Sequence, residues 1–170
     1  MKAPTELAGP AGLARTGVRS TVRDMTRIRT IAATLGKSSR PTPLVLGGRD
    51  AAATADALAG ELGLNLYRVD LSKVVSKYVG ETEKNLARLF AEADARGAIL
   101  VLDEADALFG KRTGVKDAHD RYSNAEINAL LSGLRRHQGL VVFVSKARAA
   151  IPTRLRHHFS FYDFPPVDAR

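Results

Sequence analysis

Two adjacent acids at the end of an apolar run are the residues best suited to chemistry. They lie in "ILVLDEADALFGKR" at residues 99–112, where four apolar residues predict a buried strand. That strand would deliver Asp103 and Glu104 to its carboxyl end, the edge at which open α/β sheets bind ligands. Asp103 would act as a metal ligand, holding a water on a phosphate-bound magnesium, and Glu104 would polarise the attacking water. The same acids would also suit the start of a following helix, so a purely structural role stays open.

A second candidate is "LVLGGRDAAATADALAG" at residues 44–60, which has the outline of a strand, a phosphate-binding loop and a helix. Its candidate nucleotide-binding residues are Gly47, Gly48, Arg49 and Thr54. With Gly47 as the first glycine of G-x-x-x-x-G-K-[ST], Thr54 takes the hydroxyl position, but alanine takes the lysine position. No lysine occurs between Lys37 and Lys73. A loop that merely joins a strand to a helix is therefore the favoured interpretation.

Composition narrows the possible classes of protein. A chain of 170 residues with 45% hydrophobic content can bury one substantial core, which favours a single domain. The absence of cysteine excludes disulfides, cysteine-based zinc sites and thiol catalysis. The four histidines lack metal-ligand spacing. Since no segment approaches the ~20 apolar residues of a membrane span, we expect a soluble, cytoplasmic protein with no membrane partner.

The net charge of +8 and the isoelectric point near 10.1 invite a nucleic-acid interpretation. The positive residues concentrate before the first predicted strand and near the end of the chain. They are not interleaved with aromatic residues that would stack on bases. A basic, solvated surface is therefore favoured, and a nucleic-acid partner is not expected.

Hydrophobic periodicity predicts alternating strands and helices after a flexible leader at residues 1–19. The predicted helices cover residues 20–35 (capped by Ser20 or Thr21), 54–62, 81–95 and 123–137 (capped by Ser123 or Asn124). The predicted strands fall in residues 44–46, 65–70, 98–103, 139–145 and 159–164. Alternation of this kind implies right-handed crossovers and a parallel sheet of about five strands. We therefore expect a three-layer α/β/α sandwich formed by one domain, residues 20–170.

Three segments in a fixed order carry a family resemblance. They are "SKYVGETEKNLARLF" at 76–90, "DEADALFGKR" at 103–112 and "DAHDRYSNAEINALL" at 117–131. In order and spacing they resemble the AAA-type ATPases of the P-loop NTPase superfamily, over roughly residues 40–168. Within that family the chain resembles sequences of the kind associated with contractile injection systems. The resemblance implies the AAA large-subdomain fold, with ATP and Mg²⁺ as cofactors and ATP hydrolysis coupled to protein remodelling.

The resemblance also implies a pore loop. Its residues would be Lys77, Tyr78, Val79 and Gly80, in the loop that lines the central pore of a hexameric ring. The aromatic side chain of that loop grips a threaded polypeptide. The expected partners are thus further copies of this chain, or AAA-type relatives, in a ring, with a polypeptide as substrate. The open alternative is a tyrosine at a strand end that packs on a helix.

The chain departs from the family pattern at several positions. Counting back from "YRVDLS" places Ala51 at the loop lysine and Ala52 at the hydroxyl residue, with Val45 at the first glycine. Lys146 stands at the sensor asparagine, and of the arginine fingers only Arg156 clearly remains. The C-terminal helical lid of the family has no counterpart before Arg170. An arginine finger contributes roughly 10³–10⁵ in rate, so we expect a domain deficient in hydrolysis.

Three functions remain as alternatives. The first is an active ATPase with an unusual loop, which is favoured by Asp103 and Glu104. The second is a non-catalytic ring subunit, favoured by the retained aromatic loop and the missing lysine. The third is a basic scaffold that binds protein or nucleic acid, which is supported only by the net charge.

Overall fold

Five short strands form one parallel sheet in the computed structural model, which describes residues 25–48, 50–109, 119–145 and 151–163, with the backbone alone for 119–124. The strands are β1 (Leu44–Gly47), β2 (Leu66–Asp70), β3 (Ile99–Asp103), β4 (Val141–Ser145) and β5 (Ser160–Asp163). The helices are α1 (Met25–Gly36), α2 (Ala51–Leu62), α3 (Leu71–Val74), α4 (Glu81–Arg96), α5 (Asp106–Phe109) and α6 (His119–Arg136). A 3-10 helix, Thr153–His158, precedes β5.

The strand order is β2-β3-β4-β1-β5, and every neighbouring pair is parallel. Parallel neighbours cannot be joined by tight hairpins, so each connection crosses a face of the sheet and covers it with helices. The carboxyl ends of all five strands therefore meet at one edge. The predicted three-layer α/β/α sandwich, of the P-loop NTPase type, is confirmed.

Alternate residues of the central strands supply two separate cores. Leu100 and Leu102 of β3 belong to the core under α3 to α6, whereas Ile99 and Val101 belong to the core under α1 and α2. All four side chains are buried, as expected for a strand covered on both faces. Because the alternation is strict, it determines on which face of the sheet each side chain at the carboxyl end of β3 lies.

Two predicted helix starts differ from the structure. Helix α2 begins at Ala51, three residues before the predicted Thr54, because alanine has the highest helix propensity and continues the helix backwards. Helix α6 begins at His119, so Ser123 and Asn124 lie inside it and not at its N-terminus. An amphipathic helix packed on α4 outweighs the local preference of those two residues for a cap. The predicted end of α2 at Gly63 is confirmed, with a left-handed φ of 66°.

Several predictions fall on residues outside those described. The leader at 1–19 and the cap at Ser20 or Thr21 are among them. The first helix is seen from Met25 onward. The residues after β5, 164–170, lie outside those described as well, so the expected lack of a helical lid stays a prediction.

Candidate functional site

A cleft of about 320 Å³ lies at the carboxyl edge of the sheet, where β1 to β4 end. Its walls include the first turn of α2, Gly48 after β1, and Ser145 at the end of β4. Four carboxylates also line it: Asp70, Asp103, Glu104 and Asp106. The lining side chains that the structure describes include no lysine or arginine, so the walls are acidic.

Asp103 ends β3 and is only partly exposed. Its Oδ1 is buried and meets no hydrogen-bond partner among the described residues, while its Oδ2 lies 3.6 Å from the Arg68 Nε. Burial raises the pKa of the Asp103 carboxyl above its usual range, and the nearby Asp70 and Glu104 add to that rise. The Arg68 guanidinium acts in the opposite direction. The surroundings of Asp103 therefore disfavour its ionised form, and the positive charge of Arg68 counteracts this effect.

Glu104 lies next to it and has a left-handed backbone. Its φ of 57° is rare for a residue with a side chain, and such strain tends to persist at functional turns. The Glu104 side chain is exposed at the cleft, and its carbonyl accepts a hydrogen bond from Ala107 at 2.9 Å as α5 begins. The structure thus brings both predicted catalytic residues, Asp103 and Glu104, to one edge of the cleft.

The connection from β1 to α2 is shorter than the motif requires. Residues 48–50 alone separate Gly47 from Ala51, where α2 starts. If Gly47 is the first glycine, the second glycine position falls inside α2. If the family spacing is used instead, the first glycine falls on Val45, which is buried in β1 and paired with β4 and β5. In neither register does the structure form the six-residue glycine loop that cradles phosphates.

The predicted nucleotide-binding residues have other structural roles. Gly48 has a φ of 106°, a left-handed conformation that glycine adopts without strain. A Cβ on Gly47 would lie 2.5 Å from the Asp163 Oδ1 on β5. The Thr54 hydroxyl is buried and donates to the Asp50 carbonyl at 3.0 Å, and it does not line the cleft. Arg49 lies outside the described residues. The described residues therefore do not fit Mg²⁺-ATP in the way the motif would.

Arg68 is the residue of this site that sequence reasoning missed. It lies in the middle of β2, and its guanidinium reaches the carbonyl of Ala52 at 3.2 Å and the carboxylate of Asp56 at 2.9 Å, besides Asp103. A usable signal was present: an arginine in the middle of a predicted strand whose neighbour ends in acids can pair with them.

Ser145 and Asp106 join β4 to α5 at the back of the cleft. The Ser145 hydroxyl, which is buried, donates to the Asp106 carboxylate at 2.9 Å. This bond fixes the start of α5 against the end of β4. Lys146, the residue at the predicted sensor position, lies outside the described residues.

The segment 75–80 forms an exposed loop between α3 and α4. Tyr78 is 62% exposed and Val79 is 73% exposed, unlike the tyrosine packed on a helix that was the alternative. The Lys77 ammonium stands 5.5 Å from the centroid of the Tyr78 ring. Gly80, with a φ of 78°, turns the chain into α4. The four predicted pore-loop residues are thus presented together at the surface.

Hydrogen bonds fix the base of this loop. The Ser76 amide donates to the hydroxyl of the buried Thr82 at 2.9 Å, and the Ser76 hydroxyl donates to the Glu81 carboxylate at 2.5 Å. The Tyr78 amide donates to the Ser76 hydroxyl at 3.2 Å. The exposed tip is therefore carried on an ordered base.

Arg156, the possible finger, lies in the 3-10 helix before β5. Its Nε donates to the carbonyl of Ile151 at 3.3 Å, which ties the guanidinium to its own segment. Next to it, the rings of His157 and His158 lie 4.0 Å apart. Burial lowers the pKa of His158, and the nearby His157 and Arg135 lower it further. This end of the chain is a basic surface.

Within the described ranges, no three or more His, Asp or Glu side chains are grouped as a metal site. Nor does any helix there have the length and apolar character needed to cross a membrane.

Comparison with known proteins gives one family. A family model described as "ATPase family associated with various cellular activities (AAA)" matches residues 52–163, starting in the first turn of α2. The ATPase family gene 2 protein of Saccharomyces cerevisiae is 32% identical over 148 residues, which is 81% of this chain and 19% of that protein. Its human homolog A is 36% identical over 81 residues, which is 47% of this chain and 9% of that protein.

A bacterial relative is similar over a comparable stretch. The ATP-dependent zinc metalloprotease FtsH 3 of Sphaerobacter thermophilus is 36% identical over 107 residues, which is 60% of this chain and 22% of that protein. The chain thus spans less than a quarter of the length of these relatives.

Proposed function

The chain belongs to the AAA family of ATPases, and we propose that it is a member that does not hydrolyse ATP and acts as a polypeptide-contacting subunit of a ring. AAA proteins bind ATP with Mg²⁺ and typically assemble into rings. The domain is ATPase-like in fold and family. The loss of hydrolysis, the ring and the polypeptide contact are our proposals, and a link to contractile injection systems stays a prediction.

The observation that carries the proposal is the connection from β1 to α2. Hydrolysis by P-loop enzymes depends on positioning and charge stabilisation of the phosphates by backbone amides, a lysine and a metal-bound hydroxyl. Here α2 begins at Ala51 after three connecting residues, the lysine position carries an alanine in either register, and in the family register the hydroxyl position does too. The cleft walls are acidic and would repel a triphosphate.

The contact function rests on a different region. Tyr78 and Val79 are large apolar side chains exposed on a loop whose base is hydrogen-bonded. Exposed aromatic residues on ordered loops are suited to binding another chain, because they bury much area and lose little entropy. An extended polypeptide is the partner that this loop fits under the family resemblance.

Steady-state phosphate release tests the loss of hydrolysis. We expect no Mg²⁺-dependent release by the purified chain above the level of a Glu104→Gln variant, in which the amide cannot act as a base. Release by the wild-type chain that disappears in this variant would overturn the proposal.

Photo-crosslinking tests the polypeptide contact. A photoreactive phenylalanine analogue at Tyr78 is expected to crosslink to an unfolded polypeptide such as casein. The matched control carries the analogue at Leu64, a surface side chain that is 46% exposed beside the opposite end of β3. Equal yields from both positions would mean that the loop has no special role.

An active ATPase with an unusual loop is the second candidate. The juxtaposition of Asp103 and Glu104 at the cleft favours it, because these are the acid types that hold a metal-bound water and orient a nucleophile. This candidate predicts that phosphate release is present and is abolished by Asp103→Ala as well as by Glu104→Gln.

A further inference from the structure

We propose that Arg68 is a built-in cation that takes the place of the magnesium ion of an active P-loop site and keeps divalent metals off Asp103. The inference rests on the proposed loss of hydrolysis and gives it a mechanism. It concerns one side chain of β2 and its contacts on two other elements.

The guanidinium of Arg68 bridges strand β3 and helix α2. Its Nε lies 3.6 Å from the Asp103 Oδ2. One of its terminal nitrogens lies 2.9 Å from the Asp56 Oδ1 and donates to the Ala52 carbonyl at 3.2 Å. The side chain of Arg68 is 34% exposed, so much of its length is held against the protein.

The two ends of this bridge are informative positions. In P-loop NTPases magnesium is held between the hydroxyl residue of the loop and the acid at the end of the neighbouring strand. The family spacing places Ala52 at the hydroxyl position and Asp103 at the acid position. Arg68 donates to the backbone carbonyl of Ala52 and faces the carboxylate of Asp103, so its guanidinium lies beside both positions that would hold the metal.

Charge explains why this cation is needed. The carboxylates of Asp70, Glu104 and Asp56 lie around Asp103 and add negative charge there. A guanidinium stays protonated at any pH a protein experiences, and its fork can bind two acceptors at once. Unlike a metal ion, it does not dissociate. Asp103 is therefore kept beside a permanent positive charge without a bound metal or nucleotide.

The same geometry excludes a metal. A divalent cation on Asp103 would have to approach its carboxylate, and a fixed positive charge a few ångströms away opposes that approach. The Asp103 Oδ1 is buried, which leaves Oδ2 as the accessible oxygen, and Arg68 already faces it. Removing Arg68 would expose an acidic cleft whose oxygen ligands suit magnesium or manganese.

Binding of Mn²⁺ alone, followed by electron paramagnetic resonance on the full chain, tests the inference. We expect weak binding by the wild type and roughly tenfold tighter binding by Arg68→Gln. The double variant Arg68→Gln/Asp103→Asn should return to the wild-type level, because the gained site depends on Asp103. The matched control is Arg29→Gln, which removes another arginine from a carboxylate pair, that with Glu61, and should change nothing.

Arg68→Lys is the second variant and covers the case in which Arg68→Gln does not fold. Its compact ammonium keeps the charge but cannot bridge α2 and Asp103 as a fork does, so we expect Mn²⁺ binding between the two levels. Folded Arg68 variants that bind Mn²⁺ no more tightly than the wild type would overturn the inference.

Phosphate release measured in parallel distinguishes a failure of the proposed loss of hydrolysis from a failure of the proposed role of Arg68. Glu104-dependent release by the wild type would overturn the proposed loss of hydrolysis. A wild type without such release, together with Arg68 variants that gain no Mn²⁺ binding, would overturn the role of Arg68 alone.

Discussion

The cleft and the loop at residues 75–80 lie at the same edge of the sheet. The loop matches the family pattern well, whereas the cleft departs from it. In the cleft, alanines stand at the lysine and hydroxyl positions of the family register, and the Arg68 Nε lies 3.6 Å from the Asp103 Oδ2. In the loop, Tyr78 and Val79 are exposed and the base is held by several hydrogen bonds. Hydrolysis needs a few atoms placed within ångströms, whereas a contact surface needs exposed apolar area. A chain can therefore lose the first and keep the second.

Asp70 joins the two regions physically. It lines the cleft, and it is also the N-cap of α3, the short helix that leads into the loop. Its carboxylate accepts hydrogen bonds from the Ser72 amide at 2.9 Å and the Ser72 hydroxyl at 2.6 Å. An acid that serves as a cap has a structural role that does not depend on catalysis in the cleft.

The largest expected effect is in the loop. Thr82→Val should lower the free energy of unfolding by about 2 kcal/mol, because the Ser76 amide loses its acceptor near a buried position. Urea denaturation measures the loss, and amide hydrogen exchange should rise in residues 75–80. The control is Thr30→Val, whose hydroxyl bonds only to the Thr26 carbonyl of its own helix on an exposed face. Similar losses in both variants would mean that the loop base is not specially held.

The next effect is in the cleft. Gly48→Ala should destabilise the nucleotide-free protein by about 1–2 kcal/mol, because its φ of 106° is unfavourable for a residue with a Cβ. Gly60→Ala is the control, since Gly60 lies within α2 with open space around it and should stabilise by up to about 1 kcal/mol. An unchanged stability of Gly48→Ala would contradict a backbone role for this glycine.

The smallest effect is at the link between the regions. Asp70→Ala should cost about 1 kcal/mol at neutral pH, as loss of an N-cap typically does. The hydrogen bonds from Ser72 hold the pKa of Asp70 below its unfolded value of 3.8. A lowered folded-state pKa gives stability that is present above about pH 4 and is lost as the pH falls through the folded value. The difference from wild type should therefore shrink in acid.

The control for Asp70→Ala is Asp50→Ala. Asp50 precedes α2 but makes no side-chain cap hydrogen bond, so Asp50→Ala should change the stability little at any pH. Thermal denaturation from pH 2 to 7 compares the two. A loss in Asp70→Ala that does not depend on pH would exclude the carboxylate as its cause.

Most of the fold could be predicted from sequence because its strands are apolar and its helices amphipathic. Both faces of β3 are covered, and the continuous apolar run at 99–102 predicts this. The single-turn helices α3 and α5 were not predicted. Helices this short have no stability of their own and form through tertiary contacts that a local pattern does not contain.

The candidate site was predicted in part. Asp103 and Glu104 were found because acids that follow a buried strand are conspicuous. The contacts of Arg68 were not predicted, because they depend on which helix covers that side of β2 and on the distance from Asp56 and Asp103. The early start of α2 was missed for a similar reason: "GGRD" suggests a longer loop than the packed structure contains.

The strand order also determines when the sheet can form during synthesis. Leu44 of β1 pairs with Val142 of β4 and with Ser160 of β5, so β1 receives both neighbours only after the chain has been synthesised to residue 160. Until then its apolar residues lack their native partners and depend on α1 and α2 for cover. Sheets dominated by such distant pairings fold slowly and expose unpaired strands on the way. The emerging chain is thus most open to aggregation, and to chaperones, between the appearance of β1 and that of β4.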